Sequence, residues 1–180
     1  VSASPAPVGA LGGVKVLDLT RVIAGPLATQ ILGDLGADVV KVERPDEGDD
    51  VRRTGPPWAL GSTDGAARTS TYFLAVNRNK RSITIDYATP RGAALIRELA
   101  LGADVLIENF RPGTLERHGL GADRLRAANP RLIYCSVSGF GQTGPYAGRS
   151  GYDYLAQAMS GVMTVNGPAD GDPTRLGIPV

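Results

Sequence analysis

Short apolar runs, broken by glycine, proline and charge, set the rhythm of the chain. Val14 to Leu19 (VKVLDL) is a β-rich run suited to a buried parallel strand. Thr20 to Gly25 is a polar, glycine-containing turn, and Pro26 fits the first position of a helix. Leu27, Ile31, Leu32 and Leu35 then recur at helical spacing, with Gly36 as a C-cap. Val39 to Val42 is a second strand, closed by Glu43, Arg44 and Pro45. Together these make a β-turn-α-turn-β unit of about thirty residues, the building block of a doubly wound sheet.

Residues 46–70 are charged, rich in glycine and proline, and aperiodic, which marks a long functional or mobile loop. Tyr72 to Val76 and Ser82 to Tyr87 read as short β-type runs around the polar string Asn77 to Arg81. Thr89 caps a helix with Pro90 at its first position and Leu95, Ile96 and Leu99 along one face. Asp104 to Glu108 is another buried strand; short helices follow around Leu115 and Leu125, then a strand from Arg131 to Val137. Gly139 to Gly151 is a glycine-rich loop, Tyr154 to Val162 reads as helical, and Met163 to Val180 is turn-rich. Alternating strands and helices predict a parallel α/β fold.

Length and charge narrow the function. The 180 residues suit one domain, and 19 basic against 18 acidic side chains leave a net charge of +1, which gives no support for nucleic-acid or polybasic membrane binding. One cysteine, Cys135, excludes an internal disulfide, and inside a strand it reads as a small buried hydrophobe. The first residues, VSASPAPVGALGG, lack the charged and apolar regions of a secretory signal, and no apolar run reaches the ~18 residues of a membrane span. A cytoplasmic protein is expected. Val1 is not a starter methionine and RLGIPV reads as the middle of a segment, so the chain is expected to be part of a longer one.

Gly139 to Gly144 matches G-x-G-x-x-G after a strand, but a dinucleotide fingerprint needs a helix opening at the third glycine, and Pro145 to Gly148 follow instead. A mobile loop, or one that covers a ligand, is the better reading. Arg44, Asn109, Arg111 and Arg117 lie just after strand ends or on the next helix, at the edge where open α/β sheets bind ligands. Singly, each arginine is equally a solvated surface residue; several at one edge suit a polyphosphate. The only histidine is His118, Ser138 has no G-x-S-x-G elbow, and no metal-ligand spacing is present. Asp153 reads as a helix N-cap before an amphipathic run.

Five strings, taken in order, carry a resemblance: VLDLTRVIAGPLATQILGDLGADVVKVERP, NRNKRSITIDY, DVLIENFRPGTLERHGL, NPRLIYCSVSGFGQTGPYAGRSGYDYLAQAMSG and DGDPTRLGIPV. They resemble the N-terminal part of the family III CoA transferases, which include formyl-CoA and carnitine CoA transferases and α-methylacyl-CoA racemases. The resemblance implies a flexible lead-in over 1–12 and a Rossmann-like, doubly wound, mostly parallel CoA-binding domain over 13–180. It also implies an interlocked homodimer of full-length chains. The CoA contacts it implies fall on Ile23 and Ala24, Arg44, Ile85, Asp86, Tyr87 and Ala88, Asn109, Phe110 and Arg111, Arg117, and Ser138, Gly139, Phe140 and Gly141. Tyr152 and Asp153 are implied to be close to substrate. No metal or prosthetic group is implied; coenzyme A and acyl-CoA enter as substrates, with a carboxylic acid as the second reactant.

In the family an aspartate attacks the acyl-CoA thioester to give a mixed anhydride and then an aspartyl-CoA thioester. It follows the G-x-P-V-type string by a few residues, so it is expected just after Val180, and no catalytic residue is expected within the chain. The racemases carry a histidine where Tyr152 stands in Gly151-Tyr152-Asp153. A tyrosine with an unperturbed pKa of about 10 is a poor base near neutrality, so CoA transfer is favoured over racemisation. The remaining alternatives are a fragment that at most binds CoA and a nicotinamide-binding module. A lone chain is expected to expose apolar surface and to associate.

Overall fold

The computed structural model describes residues 9–59 and 69–177. The chain divides into two compact units, Val1–Val137 and Ser138–Val180. The first holds five strands: β1 (Lys15–Asp18), β2 (Asp38–Glu43), β3 (Lys80–Thr84), β4 (Val105–Glu108) and β5 (Ile133–Ser136). Four helices alternate with them: α1 (Ala24–Asp34), α2 (Thr71–Asn77), α3 (Pro90–Leu101) and α4 (Ala122–Ala128). The second unit holds α5 (Asp153–Met159) and a 3₁₀ turn at Val162–Thr164.

All four strand pairings are parallel, in the order β3-β2-β1-β4-β5. The order reverses between β1 and β4, and at such a switch point the diverging connections leave a crevice outside the carboxyl ends of the strands. Alternating side chains explain the layers. Val16, Val39 and Ile107 turn to one face, in a cluster with Leu32 of α1. Leu17, Val42 and Leu106 turn to the other, with Ala93, Ile96 and Ala100 of α3 and Leu125 of α4. Helix α1 packs on α2, and α3 on α4. Burial on both faces is why these strands read as continuous apolar runs.

Several local expectations are corrected. Tyr72 to Val76 is helix, because the Ser70 hydroxyl accepts the Tyr72 N–H (3.1 Å) and starts α2, and five residues are too few to fix a period. The residues that give α1 its period are not those it buries. Leu27, Ile31 and Leu35 are exposed, while Gly25, Pro26, Thr29 and Gln30 face inward. The helix stops with Gly36 at φ +100°, the left-handed position just past the C-cap Leu35. The turn near Leu115 is a 3₁₀ segment, Glu116–His118. Cys135 is exposed: with Ile133 it lies on the face of edge strand β5 opposite Tyr134. Asp153 is the first residue of α5; Tyr152 is the N-cap residue, and no side chain caps this helix.

Candidate functional site

Strand β1 ends on Asp18, a fully buried carboxylate. It accepts hydrogen bonds from the Thr20 N–H (2.8 Å), the Thr29 hydroxyl (2.6 Å) and Lys80 Nζ (3.0 Å). Lys80 also donates to Pro26 O and Asn77 Oδ1, each at 2.8 Å. Burial lowers the Lys80 pKa, and the Asp18 charge pulls against that shift. Beside it, Lys41 Nζ donates to Thr20 O (2.8 Å) and pairs with Asp49 at 2.8 Å, both side chains being 1% exposed. A buried ion pair persists only where its remaining donors and acceptors are met. Asp49 Oδ1 meets two, the N–H groups of Val22 and Val51, each at 3.1 Å.

The β1–α1 turn runs over this network. Val22 sits at φ +70°, a left-handed conformation that costs a β-branched residue roughly 1–3 kcal/mol. On the neighbouring residue, the Asn109 amide accepts the Arg21 N–H (2.8 Å) and donates to Arg21 O (2.7 Å). Ile23 then takes the N-cap position of α1 without a capping side chain, and Ala24 is the first helical residue.

At the carboxyl edge Thr20, Arg21, Arg44, Ile85, Tyr87 and Phe110 line a small pocket, with Lys41 and Asp49 at its floor. Tyr87 meets Phe110 edge-on at 5.1 Å and His118 at 5.5 Å, and the Arg21 guanidinium lies 4.7 Å from the centre of the Phe110 ring. Arg44 pairs with Asp50 (2.6 Å) and Glu47 (3.0 Å), and Asp50 is 3.7 Å from Arg21. These pairs are part-exposed and cheap to exchange, so an incoming phosphate can replace the carboxylates.

At the end of β2, Glu43 accepts a forked pair from Arg52 (2.6 and 2.7 Å), the Ser82 hydroxyl (2.6 Å) and the Asp49 N–H (3.0 Å). Burial alone would raise its pKa, but these partners outweigh burial and bring it down to about 2. Glu108, at the end of β4, accepts the Phe110 N–H (2.8 Å), and burial pushes its carboxyl up.

Ile23, Ala24, Arg44, Ile85 to Ala88 and Asn109 to Arg111 all follow strand ends at this edge; Arg117 is exposed on the 3₁₀ turn after β4. Asp86 folds its own turn by accepting the Ala88 N–H at 3.0 Å. Sequence reasoning missed Asp18, Lys41, Asp49 and Lys80. The signal was there for two of them: an acid within VLDL and a lysine within VVKVE must each find a buried partner.

Ser138, Gly139, Phe140, Gly141, Tyr152 and Asp153 belong to the second unit. Gly139 lies against Gly151, where a Cβ on either would strike the other's backbone. Phe140 meets Tyr146 edge-on at 5.6 Å, and Ser138 Oγ accepts from Gln142 at 3.3 Å. Asp153 accepts from the buried Gln157 at 2.8 Å, and Tyr152 is exposed. No helix opens at Gly144; α5 begins at Asp153, so the glycine string lacks the frame of a dinucleotide fingerprint.

An all-parallel sheet with a switch point, and a pocket with aromatic residues and arginines at its carboxyl edge, define a Rossmann-like α/β unit. The chain belongs to CoA-transferase family III, which it matches over residues 11–180. It is 53% identical over 170 residues to the succinate–glutarate CoA-transferase of Agrobacterium fabrum, covering 94% of this chain and 42% of that protein. To the succinyl-CoA:glutarate CoA-transferase of Mus musculus it is 54% identical, covering 93% and 37%. A CAIB/BAIF family protein from Brucella suis superposes with a TM-score of 0.88 at 50% identity, over 94% of this chain and 44% of that one. The chain thus spans about two fifths of the length of these relatives. Among the described residues no helix is long and apolar enough to cross a membrane.

Proposed function

We propose that this chain supplies the coenzyme A-binding half of a cytoplasmic, homodimeric CoA-transferase, which moves CoA from an acyl-CoA to a carboxylic acid. The observation that carries the reading is the pocket at the carboxyl edge, where two arginines flank an aromatic pair in a chain of this family. Phe110 and Tyr87 offer apolar faces to the adenine, while Arg44 forks onto a phosphate after releasing Asp50 and Glu47. Ile23 and Ala24 present backbone at the start of α1, where N–H groups and the helix dipole favour an anion. Asp86 to Ala88, Asn109 to Arg111 and Arg117 add contacts with the nucleotide at this edge. In the second unit the family motif assigns Ser138 to Gly141 to coenzyme A and Tyr152 and Asp153 to the neighbourhood of the substrate.

The attacking carboxylate is assigned to the family aspartate after the G-x-P-V string. It adds to the thioester carbonyl, the C–S bond breaks, and CoA thiolate leaves. The thiolate then attacks the aspartyl carbonyl of the resulting anhydride and releases the donor acid. The Agrobacterium and mouse relatives are named for succinate or succinyl-CoA and glutarate, so these dicarboxylates are the first to try. The test is a denaturing intact mass of the protein as its organism makes it, after brief incubation with succinyl-CoA. A covalent CoA or acyl adduct, chased by glutarate into glutaryl-CoA, is the expected result. Solvent deuterium entering the carbon next to the thioester, with no transfer, would replace this reading with a racemase.

A further inference from the structure

We propose that Lys41 and Asp49 are a buried positioning pair, which holds the β1–α1 turn in the one conformation that presents Ile23 and Ala24 to coenzyme A. The assignment rests on the CoA reading of this edge. Its starting point is Val22, at φ +70° in the left-handed region, where Cβ crowds the backbone and a β-branched side chain is seldom found. An unsupported Val22 relaxes to negative φ, and the next residue, Ile23, swings with it.

Three side chains from three places in the fold oppose that relaxation. Lys41, in the middle of β2, holds Thr20 O at 2.8 Å. Asn109, after β4, holds both backbone groups of Arg21. Asp49, from the loop after β2, takes the Val22 N–H at 3.1 Å. Lys41 also neutralises Asp49 at 2.8 Å, so the acceptor for Val22 is a charged oxygen kept in place where water does not reach. A strained residue persists where its surroundings over-determine it, and such residues gather at ligand sites. Both side chains are only 1% exposed at the floor of the pocket, and Asp49 reaches the Val22 N–H from there, so the pair is assigned to holding the turn.

Two double variants separate the roles of charge and acceptor. Lys41→Met with Asp49→Asn removes both charges but leaves a side-chain oxygen for Val22. Lys41→Met with Asp49→Leu removes the acceptor as well, and replacing a buried ion pair by apolar residues of similar volume is often neutral for folding. The measurements are CoA affinity by calorimetry and amide hydrogen exchange at Val22, in the protein as its organism makes it. The Asn pair gives up the Lys41 hold on Thr20 O but keeps an acceptor for Val22, and is expected to lose about threefold to tenfold in affinity. The Leu pair is expected to lose about tenfold to a hundredfold, since small misplacements at a site cost that much. Adding Val22→Gly to the Leu pair is expected to restore most of the affinity, because glycine adopts φ +70° without support; a merely structural role would not be rescued this way.

Equal affinity of the Asn and Leu pairs, or no rescue by Val22→Gly, overturns the proposal. So does rapid exchange of the Val22 N–H in the parent, a result that requires no variant to fold. If the parent itself does not bind CoA, the reading of the site fails; exchange at Val22 in the two pairs then still decides whether Asp49 holds the turn.

Discussion

Glu43 shows how a single carboxylate ties stability to pH. Its folded pKa, about 2, lies below the ordinary value of 4.5, so its contribution is complete above about pH 4.5 and is lost as pH falls toward 2. A shift of that size corresponds to about 3 kcal/mol, and water around the part-exposed Arg52 reduces it to roughly 1–2 kcal/mol. Glu43→Gln is therefore expected to lower the urea midpoint at pH 7, with the gap to the parent closing toward pH 2. A gap that stays constant with pH contradicts the assignment. Asn109 bears on the same edge: Asn109→Ala leaves the Arg21 N–H and C=O without their partner and is expected to cost about 1–3 kcal/mol in chemical melts. At this scale the sequence was a partial guide. Its motifs led to Arg44, Tyr87 and Phe110, which line the pocket, but not to Asp49, which lies in an aperiodic loop and gains its role only when the fold sets it under Val22.

Among the elements, the central strands β1, β2 and β4 were the most legible, because burial on both faces imposes apolar runs; the exposed β3 begins at Lys80 within the string read as polar, and Tyr72 to Val76 is helix. Helix α3 was equally plain: the Thr89 hydroxyl accepts the Gly92 N–H at 3.0 Å and Pro90 opens the first turn, as the residues predict. Helix α1 was legible in extent but not in orientation. Its buried side carries Gln30 and Thr29, whose hydroxyl bonds to Asp18, and leaves Leu27, Ile31 and Leu35 outside. Periodicity reports that an apolar stripe exists, not which side the domain covers. Gly92 gives a contest between local and tertiary effects. Alanine is the better helix former by about 1 kcal/mol, yet its Cβ would run into the backbone carbonyl of Asp86, and overpacking of that kind costs about 1–3 kcal/mol. Gly92→Ala is expected to lower the melting temperature and displace the turn at Asp86 to Ala88; a raised melting temperature would mean that helix propensity prevails.

At the scale of the molecule, the strand order places the switch point, and with it the binding edge, before any side chain is considered. The outward stripe of α1 continues this logic, since three large apolar residues on one exposed helix face favour contact with other protein surface. The isolated chain is expected to associate at micromolar concentration in sedimentation velocity, and Leu27→Arg with Ile31→Arg to reduce that association; a clean monomer from the unaltered chain contradicts it. The central claim is that the carboxyl edge of this sheet binds coenzyme A, and calorimetric titration with free CoA tests it most directly. One saturable site per chain is expected, weakened about tenfold or more by Arg44→Ala through loss of a charge-assisted fork. No binding by the folded protein, or an affinity unchanged by Arg44→Ala, would contradict it.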